Sequence, residues 1–247
     1  LLKEIVITIQ SWGQAHRFII KNKLWLWVII PGLIYAALFI TGMYFFGKSA
    51  TDVVEYITHI LRLSDWSQKF QNSLLGFLFT FAGIIFWLTL LLFYFSFFKY
   101  ICLIIGSPLF AALSRKTESI IEQNENIRSW KGIRKEAGRG VVTALRNCGW
   151  QTVYLVALIL LSLIPIVGWI TPLIVLFVEC YYYGFSMLDF GLARNNQTPS
   201  QSAHFIGRHK GLAIGNGVIF YLVHIVIIFA PAYAIIAANL TVNQVKK

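Results

Sequence analysis

Residues 106–122 read GSPLFAALSRKTESIIE, and this stretch decides how the rest of the chain divides. It opens apolar, places Gly106 and Pro108 within three positions, and closes in charge with Arg115, Lys116, Glu118 and Glu122. A proline inside a helical run removes a backbone hydrogen bond, and glycine and proline together punctuate local structure. The stretch is therefore expected to be an exit turn, where one helix leaves an apolar phase and another starts along its surface. A fresh helix start at Gly106, Ser107 and Leu109 would present unpaired N–H groups, which with the helix dipole favour an anion. Ser107 adds a hydroxyl and Arg115 a cation. A plain helix break is the competing reading.

Outward from this stretch the chain is strongly apolar. Of its 247 residues 57% are hydrophobic and 13% charged, where soluble domains are about a quarter charged. Residues 24–47, 71–98, 147–178 and 211–245 carry no Asp, Glu, Lys or Arg. About 20 apolar residues cross the hydrocarbon core as a helix. Barrel strands would alternate apolar and polar residues, and these runs do not. The expected class is an all-α integral membrane protein forming a single membrane domain over residues 1–247. The net charge of +11 fits a positive-inside bias rather than nucleic-acid binding. Cys102, Cys148 and Cys180 stand singly, without a CxxC pair, as membrane-buried thiols. The chain opens at Leu1 without Met, so residues upstream are expected, and residues 1–23 lack the pattern of a cleavable signal.

Before the central stretch, residues 1–23 are expected to form an interfacial helix. Ile5, Ile9, Trp12 and Ile19 lie roughly on one face, with Trp12 as a headgroup anchor. Span one is placed at 24–46, with Trp25 and Trp27 in the aromatic belt and Pro31 in its first turns. A polar loop follows over 47–73, with a short surface helix at 53–63. Span two is placed at 74–105, roughly 48 Å long at about 1.5 Å per residue. That exceeds a hydrocarbon thickness of about 30 Å, so it must tilt, bend or project.

After it, residues 106–148 form a basic linker. Arg128, Lys131, Arg134, Lys135, Arg139 and Arg146 recur at helical spacing. This face suits a solvated surface touching anionic lipid, or an anion funnel. Residues 147–190 then form a helical hairpin, with Pro165, Gly168 and Pro172 marking its turn. A second hairpin covers 211–245, with Pro231 at its turn and Gly211, Gly215 and Gly217 allowing close helix approach. Between the hairpins Thr198 or Ser200 caps a helix start. The loop 47–73 balances three basic against three acidic residues, while the other polar segments hold most of the Lys and Arg. That places both termini, the linker and residues 189–210 in the cytoplasm.

Ionisable residues at membrane depth are functional candidates by default. Glu179 lies among Val178, Cys180 and Tyr181, with Lys99 or Arg115 as partners, or with a Tyr holding its carboxyl. Asp189 is expected at the base of hairpin one, paired with Arg194 or a backbone N–H. His204 and His209 are five apart, against the four that a helical metal pair prefers, so no metal or other cofactor is expected. His224 reads as a hydrogen-bonded packing residue within an apolar run. No HExxH, P-loop or trustworthy Ser/His/Asp order is present, and the chain is not expected to be an enzyme.

The order of elements resembles the CysZ-type sulfate permeases, which share a superfamily with the etoposide-induced proteins of the endoplasmic reticulum. The pieces are Pro31, then Pro108 with Leu113 and Glu118, then Ile164-Pro165-x-x-Gly168 with Pro172, and Tyr183 through Asp189-Phe190, where the family often reads YxDYP. Three departures stand out. Members carry an Arg before the span-one proline that contributes to the sulfate site, and here residues 24–27 read Leu-Trp-Leu-Trp. The exit turn usually has Glu where this chain has Arg115, and Gly191 follows Phe190 in place of Pro. The resemblance implies a bacterial inner-membrane protein for a small anion, possibly sulfate, without its own ATPase. It also implies partly inserted hairpins and a homo-oligomer around a pore. Some members insert in both orientations, and the charge bias here favours one. The alternatives are a membrane scaffold or assembly factor, as the eukaryotic branch suggests, and a lipid-handling protein.

Overall fold

The computed structural model describes residues 1–60, 74–123, 130–162, 165–194, 197–224 and 229–246. Every regular element among them is a helix: α1 Leu2–Lys21, α2 Trp25–Ile60, α3 Leu74–Glu122, α4 Trp130–Ser162, α5 Pro165–Arg194, α6 Pro199–Arg208, α7 Lys210–Val223 and α8 Ala230–Lys246. Among the described residues, four stretches are long and apolar enough to cross a membrane: Trp25–Tyr56, Phe93–Glu122, Trp130–Ser162 and Ile170–Arg194. The all-helical membrane class expected from composition is the one adopted.

The helices are longer than expected, and the punctuation falls elsewhere. α2 continues past Phe46 to Ile60, because Gly47 costs an exposed helix only about 1 kcal/mol relative to Ala. The surface helix expected at 53–63 is thus partly the end of α2, and its remainder lies outside the described residues. α3 runs unbroken for 49 residues through Gly106 and Pro108. The expected exit turn is therefore a stretch of continuous helix. Pro108 cannot donate a bond to the Ile104 carbonyl, a cost of about 3 kcal/mol in a helix interior. Side-chain contacts on both sides of the proline hold the helix through it, as described below.

The expected turn residues of the first hairpin are helical instead. α4 ends at Ser162 and α5 begins at Pro165, so Pro165 opens a helix, where its missing N–H has no intrahelical partner to lose. Gly168 and Pro172 lie inside α5 and are not turn residues. The 106–148 linker is replaced by the end of α3 and the start of α4, which contributes 17 residues before the hairpin expected at 147. Thr198 is the N-cap of α6, in a capping box with Gln201.

The described residues group into two compact units, one of residues 37–99 and one of residues 1–36 with 100–247. The first is an aromatic cluster. Phe39 meets Phe98 edge-on at 5.1 Å, Tyr94 lies 4.7 Å from Phe46, and the Tyr94 hydroxyl donates to the Phe39 carbonyl at 3.1 Å. Gly42 leaves room for that hydroxyl, which a Cβ there would meet at 2.7 Å.

In the second unit α5 packs against α4, α7, α8 and α6, while α1 packs against α7 and α8. α1 presents Thr8, Ser11, Trp12, Ala15 and Ile19 to that core. Trp12 is buried and its indole donates to the Asn216 side chain at 2.7 Å, so it is an internal contact rather than the expected headgroup anchor. Ile9, expected beside it, is exposed with Leu2 and Val6 on another face. Glu4 caps α7 from outside: its carboxylate accepts from the Gly211 N–H at 2.9 Å and lies 2.8 Å from His209 Nδ1. A carboxylate at a helix N-terminus is favoured by the unpaired donors and the dipole there. α1 turns into α2 through Lys23, whose φ of 51° is left-handed, and the Leu24 N–H closes the turn on the Ile19 carbonyl at 3.0 Å.

Candidate functional site

α4 carries the polar residues that matter most, at a spacing of four: Arg139, Thr143, Asn147 and Gln151. Residues four apart lie on one helix face, and this face is buried. Each rung meets a neighbour. The Arg139 guanidinium grips Asp189 with two bonds, Nη2 to Oδ1 at 2.6 Å and Nε to Oδ2 at 3.2 Å. It also donates to the Ser202 hydroxyl at 2.6 Å and to the Gln197 carbonyl. The Thr143 hydroxyl donates to Asp189 Oδ2 at 2.8 Å. Asn147 donates to Ser186 at 2.9 Å and to the Tyr182 carbonyl at 3.3 Å. Gln151 accepts from the Tyr100 hydroxyl of α3 at 2.6 Å.

The partners on α5 are Tyr182, Ser186 and Asp189, again one turn apart. The seam between α4 and α5 is therefore a ladder of polar contacts inside two candidate spanning helices. A buried polar group without a partner costs about 1–3 kcal/mol, so pairing of these rungs is what permits them inside the helix packing. Asp189 is 3% exposed at its side chain and Arg139 14%. The expected pairing of Asp189 with Arg194 is corrected to Arg139, Thr143 and the opening of α6. Arg194 follows Asp189 on the same helix, whereas α4 brings a planar two-bond donor across the seam.

The central stretch packs against the charged end of this seam. Arg115 forms a two-bond ion pair with Glu136, at 2.7 Å for both Nε and Nη2. Gly132 makes room for it, since a Cβ there would meet Arg115 Nη2 at 2.0 Å. Arg115 therefore pairs with Glu136 and not with Glu179. Ser107 donates to the Ala137 carbonyl at 2.7 Å. Gly106 leaves space for the Phe110 ring, which meets Phe190 edge-on at 6.1 Å, and Gly140 leaves space for Phe190. Leu109 is half-buried and Pro108 exposed within the same helix. Residues 106–109 are thus a helix-packing node, and the open N–H groups expected there are used within α3. Ser114 completes the node, its single hydroxyl proton lying between two acceptors, Asn239 Oδ1 of α8 at 2.9 Å and the Phe190 carbonyl at 3.2 Å.

Toward the other end of the seam, Glu179 accepts from the Tyr221 hydroxyl at 2.7 Å, one of the arrangements expected for a carboxyl at depth. Lys99, the other intramembrane charge singled out, is buried. His224 meets Tyr35 edge-on at 5.5 Å. Cys102 and Cys180 are buried and Cys148 partly so, all as free thiols. The residues that sequence reasoning missed are Glu136, Thr143, Asn147, Gln151 and Tyr100. The signal is the four-residue spacing within α4, which the basic residues around Arg139 mask by making it read as surface.

The contacts also gather the α3 end, the α4 start, α6 and the ends of α5 and α8 at one pole of this unit, through Arg115, Arg139, Asp189, Ser202 and Asn239. The family model described as Sulfate transporter CysZ/Etoposide-induced protein 2.4 matches residues 11–237, from within α1 to within α8. No individual curated protein matches the chain. The match covers the polar seam, α2 to α7 and the first half of α8, and by it this chain belongs to the sulfate transporter CysZ/etoposide-induced protein 2.4 family.

Proposed function

We propose that the chain binds or moves a small inorganic anion, sulfate first, across a bacterial inner membrane, without ATP chemistry of its own and not as an enzyme. The observation that carries this reading is the ladder of Arg139, Thr143, Asn147 and Gln151 within a family member's spanning helix. An oxyanion leaving water needs hydrogen-bond donors in place of its hydration shell. The Thr143 and Tyr100 hydroxyls, the Asn147 amide and the Arg139 guanidinium supply donors of that kind, and in the arrangement seen they bond to protein acceptors. Opening the seam would exchange those acceptors for anion oxygens. This moves the anion site away from Gly106, Ser107, Leu109 and Arg115, whose donors are engaged within the packing node.

The positive-inside bias supports cytoplasmic termini, with the pole that holds Arg139 and Asp189 on the cytoplasmic side. Partly inserted hairpins and a homo-oligomer belong to the same reading. The test is sulfate uptake into liposomes. Asn147→Leu combined with Gln151→Leu is expected to lower flux about tenfold or more, each lost hydrogen bond being worth about 1 kcal/mol. Unaltered flux in the folded double variant refutes the seam as the path. No flux in the parent protein favours a membrane scaffold, a reading supported by how fully Arg115 and Arg139 are paired.

A further inference from the structure

Arg146 differs from the two arginines already described. Arg115 and Arg139 each close on a carboxylate, whereas among the described residues no carboxylate pairs with Arg146. It is exposed, on a face of α4 that is otherwise apolar and equally exposed: Val142, Leu145, Trp150, Val153 and Val156. Its position is fixed nonetheless. The guanidinium sits 4.9 Å from the centre of the Phe185 ring, with the Asn147 side chain accepting at 3.5 Å. Tyr181 lies edge-on to Phe185 at 6.2 Å, so the ring beneath the cation is itself held by a second aromatic side chain. Beside it Gly149 opens the surface, with nothing within 4 Å of where its Cβ would be.

The place of Arg146 along α4 is equally informative. It stands immediately before the charge-free run 147–162, and Trp150 follows one turn later. A cation and then a tryptophan at the start of an apolar run mark the headgroup level of a spanning helix. Lys131, Arg134 and Lys135 lie farther out on the same helix, exposed, and add positive field. The neighbouring Glu136 is neutralised by Arg115.

We propose that Arg146, with Gly149 and the exposed apolar face beyond it, is a binding site for an anionic phospholipid. The lipid phosphate meets the guanidinium, the glycerol region crosses Gly149, and acyl chains follow Val153 and Val156. Charge complementarity and the apolar surround select a lipid over a free anion, because the cation lies on a face directed at hydrocarbon and not in an aqueous recess. The site stands independently of whether the α4–α5 seam carries an anion.

The experiment reconstitutes the full chain in vesicles of equimolar phosphatidylglycerol and phosphatidylcholine, and counts retained lipids by native mass spectrometry. The parent is expected to retain phosphatidylglycerol preferentially. Arg146→Gln should reduce that preference roughly fivefold, the factor for one basic residue near an anionic surface. Arg146→Lys should keep part of it. Gly149→Leu retains the charge, fills the open surface and should also weaken retention, which keeps the test decisive if Arg146→Gln fails to fold. Lys135→Gln should have a smaller effect that fades with salt. Equal retention of both lipids by the parent, or an undiminished preference in folded Arg146→Gln, overturns the proposal. Displacement of the lipid by millimolar sulfate would assign Arg146 to a free anion instead, and overturns it too.

Discussion

The two faces of α5 hold their neighbours by different physics. Toward α4 it offers Tyr182, Ser186 and Asp189, and the seam closes through hydrogen bonds and an ion pair. Toward α7 it offers Cys180 and Gly184, and that seam closes by backbone approach. A Cβ on Gly184 would lie 1.9 Å from the Ala213 carbonyl oxygen, and one on Gly217 would lie 2.1 Å from that of Cys180. Small residues at this spacing let membrane helices gain dispersion contact where no hydrophobic drive exists between apolar surfaces in lipid. The α4 seam adds directional polar bonds to one close glycine contact, Gly140 against Phe190, while the α7 seam rests on backbone approach at Gly184 and Gly217. The comparison teaches that one helix can hold two neighbours by opposite means, polar pairing on one face and backbone approach on the other.

The glycine seam should be the more fragile. Gly217→Leu forces side-chain atoms into the backbone of α5, which cannot yield as a side-chain tip would. Overpacked cores lose about 1–3 kcal/mol, occasionally more, and this site is expected beyond that range. Thermal unfolding in bicelles should show loss of the native transition. A mild shift of the midpoint would mean that the two helices separate more easily than their contact distances imply.

Asp189→Asn comes next. It leaves the Arg139 guanidinium without its counter-charge at a buried site, a loss of about 3–5 kcal/mol. The paired change Arg139→Met with Asp189→Leu should recover most of that, since apolar replacement of a buried ion pair is often neutral. Equal losses in the single and paired variants would show that Gln197 and Ser202, and not the charge, carry the contact.

The smallest effect belongs to the neutral rungs. Asn147→Leu removes bonds to Ser186 and Tyr182, and interhelical hydrogen bonds in membranes average about 0.6 kcal/mol. A stability loss of that order with a large loss of sulfate flux separates function from folding at one residue. A loss comparable to Asp189→Asn would erase the distinction between the charged and neutral ends of the seam.

Composition and charge-free runs determined the class, because length and apolarity alone decide whether a helix can cross lipid. The capping box at Thr198 and the close approach at Gly211, Gly215 and Gly217 were also legible, since a cap is a local bond and small residues permit contact whatever the partner. Residues 106–122 carried one piece of the family resemblance but misled about structure. Local propensity opposes a helix through Pro108, and tertiary contacts, those of Ser107 with Ala137 and of Phe110 with Phe190 among them, hold it there. Pairings of charge were the least legible. Arg139 finds Asp189 and Arg115 finds Glu136 at separations of 50 and 21 residues. A sequence states which charges exist, but the packing of α3, α4 and α5 decides which of them leave water together, and desolvation then makes the pairing compulsory.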